Sequence, residues 1–387
     1  MIFFGNEKQL KIETAVVHGS KGYDPDTGAV SFPIYQSATF RHPALYQTTG
    51  YDYSRLQNPT REELENTIAK LEGGSFGFAY SSGMAAVSTI IMALFAPGDH
   101  LIVSDDLYGG TYRMFEEVYR KFGLEFSYVD TSSLPKIKDA LKANSRGFFI
   151  ETPSNPMMKV ADIRTISEIA KEKGMLHVVD NTFLTPLYQR PLELGADLVV
   201  HSGTKYLGGH NDTLAGLIAT GDEAIAEKLK LVQKSEGAVL PPFDSWLILR
   251  GIKTLGVRLE KAQKNAFAIA DWLRRQRNVE KVYYVGLPDH EGYEVSKAQS
   301  RGFGAMISFT VRDRGLVERV LERVKLITFA ESLGGVESLI TYPMVQTHAA
   351  IPEEIRNRLG VTDRLLRLSV GIEAAEDIIS DLEQALG

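Results

Sequence analysis

Residues 198–212, LVVHSGTKYLGGHND, set Lys205 directly after an apolar run, inside a cluster of Ser, Gly and Thr, with no acidic residue within three positions on either side. A lysine at the end of a buried strand ordinarily rests its stem on apolar surface and turns its ammonium group to water. One kept for chemistry needs neighbours that hold an anionic, carbonyl-bearing partner. Polar groups of that kind end the other apolar runs of the chain. Ser82 and Gly83 follow FGFAY, Glu151 follows FFI, Asp180 follows MLHVV, and Ser202 and Thr204 stand just before the lysine itself. In an open parallel sheet, ligands bind beyond the carboxyl ends of the strands, so these residues are expected to share one edge of one sheet.

The segment SSGMAAVSTI opens a helix at a Ser-Gly step, where free backbone N–H groups and the helix dipole receive anions and Gly83 allows close approach. Tyr53 and Arg55, in YDYSRLQNPTR, add a phenol and a guanidinium. A phosphate site beside an amine and a buried aspartate is the set that pyridoxal 5'-phosphate requires. The aldehyde takes the lysine, the carboxylate keeps the ring nitrogen protonated, and amides and hydroxyls anchor the phosphate. Competing chemistries lack their residues. No G-x-G-x-x-G opens the first strand-to-helix turn, which counts against a nicotinamide-dependent oxidoreductase, no G-x-x-x-x-G-K-[ST] occurs, and no G-x-S-x-G marks a hydrolase elbow at a strand-to-helix turn. The eight histidines, His201 and His210 among them, lack metal-motif spacing and read as structural, so no metal site is expected.

The elements that must position these groups are visible as periodicities. The first sixty residues, rich in Gly, Pro, Ser and Thr, read as an extended arm that packs on something, here a second subunit. In NPTREELENTIAKLEGG, Thr60 and Glu63 have capping-box spacing, and Leu64, Ile68 and Leu71 share a helical face. FGFAYS, HLIVSD, FSYVD, FFIET, MLHVVD and DLVVHS then alternate with helical segments such as GTYRMFEEVYRKFG and IRTISEIAKEKG. That alternation predicts a mostly parallel sheet covered on both faces. After about residue 250 a long helix, RLEKAQKNAFAIADWLRRQ, leads into AMISFTV, ITFAES and LLRLSVG interleaved with helices, a smaller α/β domain. The expected organisation is an arm over 1–60, a cofactor domain over 61–250 and a C-terminal domain over 251–387.

Composition narrows the partners. With 43 Lys and Arg against 49 Asp and Glu, the 387-residue chain carries a net charge of −6, which disfavours nucleic acid. Its apolar fraction of 44% is that of a globular protein. The absence of cysteine excludes disulfides, thiolate metal sites and a cysteine nucleophile. No apolar stretch is long enough for a membrane span and MIFFGNEKQLKIE turns charged too early for a signal peptide, so a cytoplasmic location is expected.

YDYSR followed by NPTR, SSGMAA, DLYGGTYR, ETPSNP, VVDNTF, HSGTKYLGGHND and ESLGGVESLITYP together resemble the Cys/Met-metabolism family of fold-type I pyridoxal phosphate enzymes, over about residues 10–385. The resemblance implies that family's α/β fold, a large sheet domain with a smaller C-terminal domain. It implies the covalent cofactor lysine for Lys205, the ring-nitrogen partner for Asp180 and the ring-stacking tyrosine for Tyr108. Gly83, Met84, Ser202 and Thr204 match phosphate ligands of the same subunit, with Ser82 beside them. Tyr53 and Arg55 match residues that reach a neighbouring subunit's phosphate, which implies a dimeric active unit and a homotetramer. Asn155 matches an asparagine near the cofactor oxygen and the substrate carboxylate, and Arg367 the arginine that grips that carboxylate, an apt use of a planar guanidinium. Glu331 beside Ser332 resembles members acting at Cγ, and Arg113 is available to a distal carboxylate or an incoming cysteine. Gly110 stands where methionine γ-lyases carry cysteine, and Leu56 where some succinyl-ester synthases carry a second arginine. The implied activity is formation of cystathionine from an O-acylhomoserine, with acetyl favoured, and cysteine. Cystathionine γ- or β-lyase and methionine γ-lyase activities are the alternatives.

Overall fold

The computed structural model describes residues 3–4 and 8–387. A short antiparallel pair, β1 (Phe3–Phe4) and β2 (Lys8–Gln9), precedes the helix Ile12–His18. That helix revises the arm, because Ile12, Ala15 and Val16 are buried in the main core. Between it and residue 59 the chain forms no further helix or strand, only an isolated bridge between Thr39 and Tyr53.

The helix Pro59–Glu72 forms where its periodicity predicts, but its cap differs from the expected Thr60–Glu63 box. Asn58 is the cap, its side-chain oxygen accepting the N–H groups of Thr60 at 3.0 Å and Arg61 at 3.4 Å. Pro59 takes the first helical position, where its missing N–H costs nothing, so Thr60 lies inside the helix. Thr60 and Glu63 hold the arm instead: the threonine hydroxyl donates to Pro33 O at 2.8 Å, and the glutamate accepts from the Ser20 and Lys21 amides at 3.0 and 3.2 Å.

Seven strands follow: β3 (Phe76–Tyr80), β4 (His100–Ser104), β5 (Glu125–Val129), β6 (Ser145–Glu151), β7 (Leu176–Asp180), β8 (Leu198–Ser202) and β9 (Gly216–Thr220). Their order is β3-β9-β8-β7-β6-β4-β5. The pairs β8–β7, β7–β6, β6–β4 and β4–β5 are parallel, and β9 runs antiparallel to both neighbours. Alternation within each strand explains the unbroken apolar runs. Phe149, Leu198 and Val200 pack under the helix Gly83–Leu94, while Phe148 and Ile150 pack on the opposite face under the helix Ile163–Lys173. Strand β9 was not among the expected strands. It is antiparallel because residues 203–215 make turns around Lys205 and contain no helix to carry the chain back across the sheet.

The helix Leu255–Leu273 leads to a second sheet of β10 (Val279–Tyr283), β11 (Met306–Val311), β12 (Thr328–Phe329), β13 (Leu339–Thr341) and β14 (Leu365–Ser369), ordered β10-β11-β14-β13-β12. Here only β12–β13 is parallel, and the expected strand ITFAES shrinks to two residues. Strand β14 is central, which carries Arg367 into the interior between Ser308 of β11 and Thr341 of β13. Helices Ala375–Leu386 and Arg314–Arg323 cover the sheet through Ile378, Leu382, Val317 and Val320.

Asn58→Ala removes the cap of Pro59–Glu72 together with the side-chain donation to Tyr35 O at 2.9 Å. We expect about 1–2 kcal/mol of lost stability, read as a lower urea midpoint.

Candidate active site

Three parallel strands end on carboxyl or hydroxyl side chains, Glu151 on β6, Asp180 on β7 and Ser202 on β8. After Ser202 the backbone turns tightly, with Lys205 N donating to Ser202 O at 3.2 Å and Gly209 N to Lys205 O at 2.8 Å. This turn presents Lys205 to a cavity of about 220 Å³. Ser82, Gly83, Met84, Tyr108 and Asn155 line it from the sheet domain, with Asp180, Ser202, Thr204 and Lys205. Glu331, Ser332 and Arg367 line it from the small domain.

Burial dominates the electrostatics. It lowers the Lys205 ammonium from 10.5 to about 8, helped by the neighbouring Arg367 cation and opposed by Glu331. Lys205 Nζ donates to Ser332 Oγ at 2.8 Å. Ser332 itself has φ 90°, a strained value for a residue with a Cβ. Its carbonyl accepts Arg367 Nη2 at 3.0 Å, so one residue ties the amine to the guanidinium. Arg367 is 1% exposed, and burial lowers it to about 10. Nη1 donates to Asn155 Oδ1 at 2.8 Å and Nη2 also to Thr341 Oγ1 at 3.1 Å, while Nε has no partner. Among the described residues no carboxylate pairs with it. A buried fork of this kind, short of an anion, is a site for a carboxylate.

Asp180 opens onto the cavity and is otherwise enclosed. Its Oδ1 accepts Thr182 N at 3.0 Å and the Thr182 hydroxyl. Burial raises this carboxyl, and the two Thr182 bonds and His201 counteract that rise. His201 is buried behind the strand and bonds Glu72 Oε1 at 2.6 Å, which agrees with its structural reading. Thr182 was missed from sequence, although its position two residues after an aspartate is an Asx-turn signature. Glu151 was read as a strand end but not as a site residue. Thr111 and Thr347 also line the cavity, and Thr347 reaches it from a loop that carries no sequence signal.

The phosphate end can be tested against the geometry. The hydroxyl of Ser82 caps the helix Gly83–Leu94 through Ala85 N at 3.1 Å, leaving the first amides of that helix beyond any intrahelical partner. A Cβ at Gly83 would stand only 3.1 Å from Ser202 Cβ and 3.2 Å from its Oγ, so the glycine keeps this notch open. Thr204 lines the cavity with its hydroxyl on Ala215 N at 3.0 Å. These groups fit a phosphate, Asp180 fits a protonated ring nitrogen, and Lys205 fits an aldehyde carbon.

Three expected residues lie elsewhere in their own chain. Tyr53 and Arg55 are exposed on the arm, with the Arg55 guanidinium 5.6 Å from the Tyr53 ring centre and bonded to Lys234 O. Arg113 is exposed on the helix Gly109–Glu117 and does not line the cavity. A wider groove of about 940 Å³ adjoins the cavity, shares Thr204, Leu214, Glu331 and Ser332 with it, and is lined by Asp212, Asp244, Glu331 and Glu337 with no lysine or arginine.

Comparison with known proteins identifies the family. The description of the Cys/Met metabolism PLP-dependent enzymes matches residues 13–387. The chain is 52% identical to the cystathionine gamma-synthase/O-acetylhomoserine (thiol)-lyase of Bacillus subtilis (97% of this chain, 96% of that one). It is 51% identical to a cystathionine beta-lyase of Lactococcus lactis subsp. cremoris (97% and 98%). Cystathionine gamma-lyase from Lactobacillus plantarum, solved with L-serine, superposes with a TM-score of 0.94 at 44% identity, over 97% of this chain and 98% of that one. The chain therefore belongs to the Cys/Met-metabolism family of PLP-dependent enzymes and has their fold-type I architecture, and the nicotinamide alternative falls away. Among the described residues no helix is long and apolar enough to cross a membrane, and no group of His, Cys, Asp or Glu could hold a metal.

The folded state holds Lys205 near 8 against 10.5 in the unfolded chain, so below pH 8 both states are protonated and folding bears the full cost. Between 8 and 10.5 the unfolded chain binds more protons and stability rises with pH. Lys205→Met should therefore stabilise cofactor-free protein by about 1–3 kcal/mol at pH 7, a gain that fades as pH approaches 10.5 in urea titrations.

Proposed function

We propose that this enzyme makes cystathionine by replacing the γ-acyloxy group of O-acetylhomoserine with the thiol of cysteine. The observation that carries the reading is the 2.8 Å bond from Lys205 Nζ to Ser332 Oγ, next to Glu331. Reaction at Cγ needs protons moved at both Cα and Cβ, so the same amine must stay close to the substrate between transfers. An amine held by a hydroxyl, with a pKa near 8, is neutral in about a tenth of molecules at pH 7 and can serve as that base.

Pyridoxal phosphate, when bound, supplies an electrophilic aldehyde and an aromatic electron sink. The protein's own groups do the rest. The amides of Gly83 and Met84 and the hydroxyls of Ser202 and Thr204 hold the phosphate, Asp180 stands at the ring nitrogen, and Tyr108 covers the ring. Arg367, kept in orientation by Asn155, grips the substrate α-carboxylate and thereby fixes which Cα hydrogen faces Lys205. Lys205 removes the Cα proton, gives it up, and then removes a Cβ proton; acetate leaves Cγ with the electrons of the C–O bond, the cysteine thiol loses its proton as its sulfur bonds to Cγ, and protons return to Cβ and Cα. Glu331, exposed at the mouth, receives the ammonium group of the cysteine portion. Cleavage of cystathionine is the second reading, favoured by the beta-lyase at 51% identity, and uses the same carboxylate grip and base.

The active unit we propose is a dimer within a homotetramer. Tyr53 and Arg55 of one chain enter the acidic groove of another, where Asp212, Asp244, Glu331 and Glu337 have no cation of their own chain among the lining residues. The exposed Val30, Leu45 and Tyr46 of the arm are covered by the same contact.

Mass spectrometry of products from O-acetylhomoserine, O-succinylhomoserine, cystathionine and methionine, each with and without cysteine, tests the activity. Cystathionine forming fastest from the acetyl ester is expected; turnover confined to cystathionine without cysteine would leave cleavage as the function. For the assembly, chains carrying Arg55→Ala and Lys205→Ala are each expected to be nearly inactive, and mixing them should restore about a quarter of wild-type activity. No recovery after verified subunit exchange would remove the shared site.

A further inference from the structure

The parallel register aligns Glu151 of β6 with Asp180 of β7, each the last residue of its strand. Both side chains line the cavity. Glu151 is 7% exposed and, among the described residues, has no lysine, arginine or histidine within ion-pair reach. The groups facing it are Asp180 from the adjacent strand, Asp106 and Tyr108 from the segment after β4, and Arg367 from the small domain, with Lys205 further along the cavity.

Two carboxylates side by side in a dry site do not both ionise. Their hydrogen bonds decide which keeps the charge. Asp180 Oδ1 accepts two bonds, from the amide and the hydroxyl of Thr182. Glu151 accepts one, from Tyr108 N at 2.8 Å on Oε2. Burial first, then Asp180, push the Glu151 carboxyl well above its ordinary value. A neutral carboxylic acid still offers a carbonyl oxygen to an amide, so the Tyr108 bond survives protonation. The position of that amide matters because Tyr108 begins the helix Gly109–Glu117 and its ring lies against the next turn. A Cβ at Gly110 would be 2.4 Å from Tyr108 Cε1.

We propose that Glu151 is a positioning residue that works as a neutral acid, anchoring the Tyr108 turn while leaving Asp180 the lone anion at the ring-nitrogen end of the cavity. The proposal rests on the assignment of Asp180 to the ring nitrogen but not on which substrate is used. Glu151→Gln keeps a carbonyl for Tyr108 and no charge, whereas Glu151→Ala removes the anchor. Infrared difference spectra of holoenzyme at pH 7, wild type minus Glu151→Gln, should show a protonated-carboxyl C=O band belonging to the wild type. The cofactor dissociation constant, titrated into apoenzyme without substrate, should stay within about threefold for Glu151→Gln and rise at least about tenfold for Glu151→Ala. The visible band of Glu151→Gln holoenzyme should keep the wild-type pH dependence. Absence of the carboxyl band, or a Glu151→Gln affinity as weak as that of Glu151→Ala, overturns the proposal. If the alanine variant fails to fold, the glutamine variant and its spectrum still decide. None of these readings uses a turnover, so a wrong substrate assignment leaves them unmoved.

Discussion

Two cations, Lys205 and Arg367, share one enclosed cavity without a paired carboxylate, and the rest of the site is arranged around that imbalance. Each is pulled below its ordinary pKa by burial, and Arg367 further lowers Lys205. A folded chain carries such a deficit only where anions arrive with the ligand. In the proposed reaction a cofactor phosphate and a substrate carboxylate supply them, which would make cofactor binding part of the stability of the holoenzyme and not only of its chemistry.

The deficit is held in place by contacts between the two sheets. Asn155, from the loop after β6, takes Arg367 on its side chain and His348 Nε2 on its carbonyl at 2.9 Å. Pro156 O accepts Ser308 Oγ of β11 at 2.7 Å. His348 is buried and lowered to about 4, so it is neutral at physiological pH and adds no third cation. Ser332 closes the arrangement with its left-handed backbone, giving its hydroxyl to Lys205 and its carbonyl to Arg367. Strain at that residue is maintained by groups on both sides of the cavity, which is where stored backbone energy is expected in enzymes.

The opposite wall carries carboxyl groups, of which Asp180 holds the charge. Asp180 and Glu151 end neighbouring strands in register, and the acidic groove begins where Glu331 leaves the cavity. With the roles proposed above, the site runs from Asp180 at the ring nitrogen, past Lys205, to a mouth that favours a positive or neutral group. That polarity fits an amino acid entering carboxylate first, with its γ substituent directed toward the mouth.

Much of this was legible in the chain. Each strand of the parallel set is a short run of β-branched or aromatic residues closed by a polar one, so Lys205, Asp180, Ser202 and Gly83 could be assigned to one sheet edge from local pattern alone. The cofactor followed from residue types whose roles are fixed by short-range chemistry. The cap of Pro59–Glu72 was misread because Asn58 and Thr60 are both good caps and only the proline between them decides.

What the sequence by itself determined was the class of fold and the chemistry of the cofactor, because strand periodicity and turn composition are local. What only the tertiary structure decided was which distant groups meet: Lys205 with Ser332 across 127 positions, Arg367 with Asn155 across 212, Glu151 beside Asp180, and the reversed direction of β9. Those pairings depend on sheet order and crossover length, and neither leaves a period in the chain.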